Sequence, residues 1–280
     1  MFTMIAHPQP KMPQPGNAWG NTAVSTAHSI LQQYAPISLG EMADVALQNR
    51  TDTKYLMHTH TLLAALSQLQ NEYRVLAVTG TRLNHYQTLY FDTADFDLYQ
   101  RHHAGALNRY KVRSRVYLES ELAFFEVKHK TNKKRTVKSR LQTDDFMTKM
   151  NGETAVFLQK HYPYEPGALL PVLGNSFTRI TLVSRHRPER LTLDFDLTFH
   201  RGQQQLSLPS LAIAEVKREG YTQNSDFVKQ MHAQRVRPTS FSKYCLGISY
   251  LYPPIKQNNF KPLHLLVQKL TGEQSHGQYN

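Results

Sequence analysis

Between Arg109 and Tyr117 the chain alternates with a period of two. Arg109, Lys111, Arg113 and Arg115 fall on one side of an extended strand, and Tyr110, Val112 and Val116 on the other. After a turn at Glu119-Ser120-Glu121, Phe125 and Val127 take one face of a second run, while Glu126, Lys128 and Lys130 take the opposite one. The two runs form a hairpin with one apolar and one charged face. A single charged strand face ordinarily meets water. Here cations occupy consecutive alternate sites, roughly 7 Å apart, and repel one another. Such a row invites a polyanion.

The arrangement recurs. In RTDTKYLM, Arg50, Asp52 and Lys54 alternate with Thr51, Thr53 and Tyr55. Further strands with charged positions read over residues 176–184 (Arg179), 190–199 (Asp194, Asp196) and 211–219 (Glu215, Lys217, Glu219), and residues 73–79 and 85–91 also read as strands. Helical spacing appears over 39–48, 59–69, 144–161 and 225–235, with Ser38 and Glu41 placed as a capping box for the first. If the charged faces turn inward, the sheet closes into an antiparallel β tunnel of about eight strands with a polar, basic interior. Helices then cover its apolar outside, and the fold class is α+β. Lys111 and Lys217 on these inner faces would bind phosphate, Arg giving bidentate contacts and Lys point charges.

The acids are as informative as the bases. Glu126, Asp194, Asp196 and Glu215 lie in strand runs, and Glu126 and Glu215 each have a Lys two positions on. Two readings stay open: divalent metal binding with carboxylate plus phosphate oxygens, or pairing with neighbouring bases. A net charge of +12 calls for an acidic partner: nucleic acid, an anionic membrane surface or a phosphate-rich molecule. In-strand carboxylates would repel a nucleic-acid backbone, so nucleic acid is not the expected partner. A peripheral membrane or membrane-protein partner stays open.

Cys245 is the sole cysteine, so an internal disulfide and a Cys-based metal site are excluded. With an amino terminus unlike a signal peptide, this fits a cytoplasmic location. Residues 1–36, rich in Pro, Gln, Asn and Gly, read as a mobile leader, residues 37–256 as the tunnel domain and 257–280 as a loose tail. No GxxxxGK[ST] loop, GxGxxG or HExxH is present. The pairs His58 and His60, and His102 and His103, read as surface or packing residues rather than ligands.

The strings RTDTKYLM, TLYFDT, NRYKVRSRVY, FFEVKHKTNKKRTVKSR, RLTLDFDL, IAEVK and FSKYC, in this order, resemble the VTC domain. That is the catalytic domain of the vacuolar transporter chaperone polyphosphate polymerases, within the triphosphate tunnel metalloenzymes. The resemblance implies a closed antiparallel tunnel and a polymerase that transfers the γ-phosphate of ATP to a growing polyphosphate chain, with Mn²⁺ or Mg²⁺. It further implies that Lys54, the pair Arg113 and Arg115, and Lys128 of FEVK contact phosphate. Lys138, Arg179 and Lys243 of FSKY would be further phosphate ligands, and Glu215 the metal-binding glutamate. The ExExK signature of many tunnel triphosphatases is here Arg50, Asp52 and Lys54, which favours the polymerase branch. The alternatives are a tunnel triphosphatase acting on tripolyphosphate or nucleoside triphosphates, and a non-catalytic module binding nucleic acid or polyphosphate.

Overall fold

A computed structural model of the chain describes residues 22–43, 50–133, 135–219 and 225–272. Its first half runs α1 (Thr22–Leu31), β1 (Pro36–Ile37), α2 (Leu39–Ala43), β2 (Arg50–His58), α3 (Thr59–Leu66), β3 (Tyr73–Leu76), β4 (Asn84–Asp92), α4 (Asp97–His103), β5 (Arg109–Tyr117), β6 (Leu122–Lys130) and β7 (Thr136–Thr143). The second half runs α5 (Gly152–His161), β8 (Leu170–Ser184), β9 (Glu189–Arg201), β10 (Gln204–Leu208), β11 (Leu211–Glu219), α6 (Asp226–Ala233), α7 (Lys243–Leu251) and α8 (Lys261–Thr271). No helix among the described residues is long and apolar enough to cross a membrane.

The strands join one large sheet in the order β2-β11-β9-β8-β4-β5-β6-β7, with β10 on β9 and β3 on β8. All of these pairs are antiparallel; β1 joins β3 in parallel. The fold is therefore α+β with a mainly antiparallel sheet. The expected closure is not made by hydrogen bonds: among the described residues, β2 and β7 are the two ends of the paired order. The sheet nevertheless curls. Lys128 on β6 lies within electrostatic reach of Lys54 and Asp52 on β2 and Glu215 on β11, strands near the opposite end of that order.

Period-two alternation puts Tyr55, Met57, Ile180, Leu182, Leu191, Leu193, Ala212 and Ala214 on one outer face, where they pack with buried residues of α1, α3 and α6. On the other half of the sheet, Leu89, Phe91, Val112, Phe125 and Val127 pack with Leu158 of α5. The inner face is not charged throughout. Part of it is apolar and filled by α7, whose residues Tyr244 to Ser249 are all buried, as in a helix enclosed on every side. Gly247 permits this approach, since a Cβ there would lie 2.6 Å from Leu173 Cδ2 and from Phe199 Cδ1.

Several expectations need correction. The leader reading fails for its last part: Val24, Ala27, Leu31 and Tyr34 are buried, and the Tyr34 hydroxyl donates to the Leu66 carbonyl at 2.6 Å. Residues 1–21 lie outside the described residues. The loose-tail reading fails over α8, where Val267 is buried and His264 bonds Ser249 at 2.8 Å. Leu263, Leu266, Val267 and Leu270 form an amphipathic stripe that the preceding Pro-rich stretch obscured. The helix expected over 144–161 begins only at Gly152, with Asn151 as its cap, and β7 and β10 are strands the sequence reading did not name. Residues 44–48 of the helix expected over 39–48 lie outside the described residues, but its Ser38–Glu41 box forms, Ser38 N donating to Glu41 Oε2 at 2.9 Å.

Candidate functional site

Strand register puts the charged residues on one face. Lys54 pairs with Glu215, Arg179 with Asp194, Arg113 with Glu126 and Lys128 with Lys138 across neighbouring strands. Lys243 joins them from the first turn of α7, where the Ser242 hydroxyl caps the helix by accepting from Cys245 N at 3.3 Å.

Each of three carboxylates lies between two cations. Glu126, only 1% exposed, accepts from Arg113 Nε at 2.7 Å and Nη2 at 2.6 Å and pairs with Lys138 of β7. Asp194 accepts from Arg179 Nε at 2.6 Å and Nη2 at 2.7 Å, and also pairs with Lys243. Glu215 is 2.5 Å from Lys217 and 3.8 Å from Lys54. Burial alone would raise these acids. For Glu126 the guanidinium groups of Arg113 and Arg115 and the Lys138 ammonium outweigh it, for Asp194 Arg179 and Lys243 do, and both stay well below the usual carboxylate range. Lys217 and Lys54 likewise bring Glu215 to about 2.

Other cations of this face reach hydroxyls or backbone. Lys111 donates to Ser242 Oγ at 2.8 Å, Arg115 Nε to Thr88 Oγ1 at 3.1 Å, and Lys54 to the Phe241 carbonyl at 2.9 Å. Burial, with Lys54, Lys128 and Arg113 nearby, pushes Lys111 down to about 7. Lys128 falls to about 8 through desolvation and the cations of Lys54 and Arg113, and Lys243 to about 8 through burial and Arg179. With Asp52, which acts on Lys128 and Lys217, the four carboxylates lie among a larger set of cations: Lys54, Lys111, Arg113, Arg115, Lys128, Lys138, Arg179, Lys217 and Lys243. Among these residues positive charge is in excess.

Two aromatic rings back part of this site. Tyr86 and Phe177 stack at 5.2 Å, Arg179 lies over both at 4.8 and 5.2 Å, and Lys243 Nζ sits 4.1 Å from the Phe177 ring centre. The sequence reading missed Tyr86, Thr88, Phe177 and Ser242. The alternation Tyr86, Thr88, Tyr90 within HYQTLY was the available signal for the first two. His102, read as surface or packing, has a buried Nδ1 with no hydrogen-bond partner, and burial together with Lys111, Arg109 and Lys54 lowers it to about 2. Asp196 leaves the alternation: its φ is 53° where the β8–β9 register shifts.

No group of three or more His, Cys, Asp or Glu able to hold a metal occurs among the described residues. Glu126, Asp194 and Glu215 each lie between cations, so an all-protein metal cage made of them does not fit. A Mg²⁺ or Mn²⁺ shared between one carboxylate and bound phosphate oxygens does fit, and Glu215, whose side chain is 25% exposed, is the most accessible of these three.

Among solved structures, the chain is similar to a protein described as a candidate adenylyl cyclase from Hippeastrum with a dominant triphosphatase activity, at 16% identity and TM-score 0.45, covering 71% of this chain and 94% of that one. Candidate adenylate cyclases from Bacillus halodurans (13% identity, TM-score 0.44, 73% and 97% covered) and Vibrio parahaemolyticus (13%, 0.41, 71% and 97%) are also similar. At such scores these likenesses decide nothing about the chain. No curated protein matches it. The family model of the VTC domain matches residues 49–252, which include β2 to α7 and every cation and carboxylate of the face described above. The chain belongs to the VTC domain family.

Proposed function

We propose that the chain is a metal-dependent polyphosphate polymerase that transfers the γ-phosphate of ATP to a growing polyphosphate chain. The observation that carries this reading is the gathering of Lys and Arg on one sheet face and the start of α7, where they outnumber Asp52, Glu126, Asp194 and Glu215. Its curl, which brings Lys128 within reach of Lys54, Asp52 and Glu215, supports a tunnel around the phosphates. Family membership supports an enzyme acting on phosphates.

In this reading Arg113, Arg115 and Arg179 orient phosphate oxygens through their planar guanidinium groups, while Lys54, Lys111, Lys128, Lys138, Lys217 and Lys243 add point charges. An oxygen of the chain's terminal phosphate forms a bond to the γ-phosphorus as the bond to the β–γ bridging oxygen breaks, and ADP leaves. The protein needs no nucleophile of its own, and its contribution is alignment and stabilisation of the equatorial oxygens. Bound Mn²⁺ or Mg²⁺, held by Glu215 and phosphate, would offset charge on the transferring group.

Purified protein incubated with ATP and Mn²⁺ should yield long-chain polyphosphate on a gel, and ADP without polymer, or no turnover, overturns the proposal. One observation favours a second reading. Because α7 fills part of the inner face, the charged length is limited, which suits a short triphosphate. Release of phosphate from tripolyphosphate, with no polymer under any metal, selects that triphosphatase.

A further inference from the structure

Two residues from the motif strings, Asp92 of TLYFDT and Tyr244 of FSKYC, lie off the cation face and are buried at 0% and 2% exposure. Asp92 ends β4. Its carboxylate accepts from Thr93 N at 2.7 Å, Leu98 N at 2.9 Å and Tyr99 N at 2.9 Å, and from the hydroxyl of Tyr244. None of these donors is a cation. Burial pushes Asp92 up to about 6 against those bonds, so holding a charge there is costly.

What the arrangement secures is the seat of two helices on the end of one strand. Leu98 and Tyr99 belong to the first turn of α4, and Tyr244 to the first turn of α7. Around Tyr244 lie the groups that meet the cation face: the Phe241 carbonyl accepts from Lys54, the Ser242 hydroxyl accepts from Lys111, and Lys243 donates to Asp194. Consecutive helical residues point about 100° apart, so fixing Tyr244 fixes the direction of Lys243. On α4, His102 lies within electrostatic reach of Lys111 and Lys54.

We infer that Asp92 and Tyr244 are positioning residues whose buried hydrogen bond sets the rotation of α7 and, through it, the places of Lys243, Lys54 and Lys111. The consequence for turnover rests on the phosphate-site reading above; the positioning does not.

The test is competitive acetylation of the folded protein, read lysine by lysine by mass spectrometry. Tyr244→Phe keeps the ring, which packs on Tyr90 at 5.1 Å, and removes only the hydroxyl. Asp92→Asn removes the charge. Leu76→Ala, in the separate small cluster with Ile37 and Val183, serves as a destabilised control. Expected is a change of at least about threefold in the labelling rates of Lys243, Lys54 and Lys111 together in Tyr244→Phe, with wild-type rates in the control. Should Asp92→Asn fail to fold, Tyr244→Phe alone decides. Wild-type rates in Tyr244→Phe, or the same change in Leu76→Ala, overturn the inference. Calorimetric titration with tripolyphosphate runs alongside: a wild-type protein that binds none overturns the phosphate-site reading, while the labelling still decides the positioning role. If it binds, Tyr244→Phe should weaken affinity at least about threefold.

Discussion

Arg179 grips Asp194 with two parallel hydrogen bonds, Nε to Oδ1 at 2.6 Å and Nη2 to Oδ2 at 2.7 Å, across the β8–β9 pair. The same carboxylate pairs with Lys243 from α7, so one acid joins two strands and a helix. A guanidinium held this way has a fixed plane, which is what a phosphate ligand needs.

Asp194→Asn should therefore leave Arg179 and Lys243 without their counter-charge in a poorly hydrated place. A loss of about 3 kcal/mol is expected, seen as a melting temperature lower by about 6 °C or more. Tripolyphosphate should recover part of it by replacing the lost negative charge. An unchanged melting curve would show that the pair is solvated.

Replacing Arg113, Arg115 or Lys128 with Ala should reduce turnover about tenfold to a hundredfold, the effect of one charge-assisted contact of roughly 1.5 to 3 kcal/mol. Circular dichroism should show a folded protein in each case. If these side chains served only a solvated face, each change would be nearly silent in activity.

The lowered lysines give opposite signs for binding and for stability. Lys111 near 7, and Lys128 and Lys243 near 8, lose their protons as pH rises from 6.5 to 9, so tripolyphosphate affinity should fall across that window. Unfolded, the same lysines keep their protons to about 10.4. The unfolded state thus binds more protons above these values, and the ligand-free protein should gain stability as pH passes through them. Titration calorimetry in two buffers at pH 8 should detect proton uptake on binding, reduced in Lys111→Met. No uptake would place these lysines in open water.

Glu215→Gln keeps the size and removes the charge. It should raise the Mn²⁺ concentration needed for half-maximal activity severalfold, with most activity recovered at saturating metal. Unchanged metal dependence would remove Glu215 from the metal site and leave it as the partner of Lys217 and Lys54.

The alternation of Arg109 to Arg115 against Tyr110 to Val116 was legible because a strand's side-chain direction follows from backbone geometry alone. The same period separated Lys54, Arg179, Glu215 and Lys217 from their apolar neighbours, and the helix spacing of Leu62 and Leu66 placed α3. The ordered strings also sufficed to indicate the family. Other features were not local. Glu126 meets Lys138 only because β7 lies beside β6, and Asp194 meets Lys243 only because α7 enters the curved sheet where Gly247 lets it approach Leu173 and Phe199. The burial of α1 and α8 likewise depended on partners far along the chain. Periodicity assigns a side chain to a face; curl, register and helix docking decide which charges share that face and which carboxylate each cation finds.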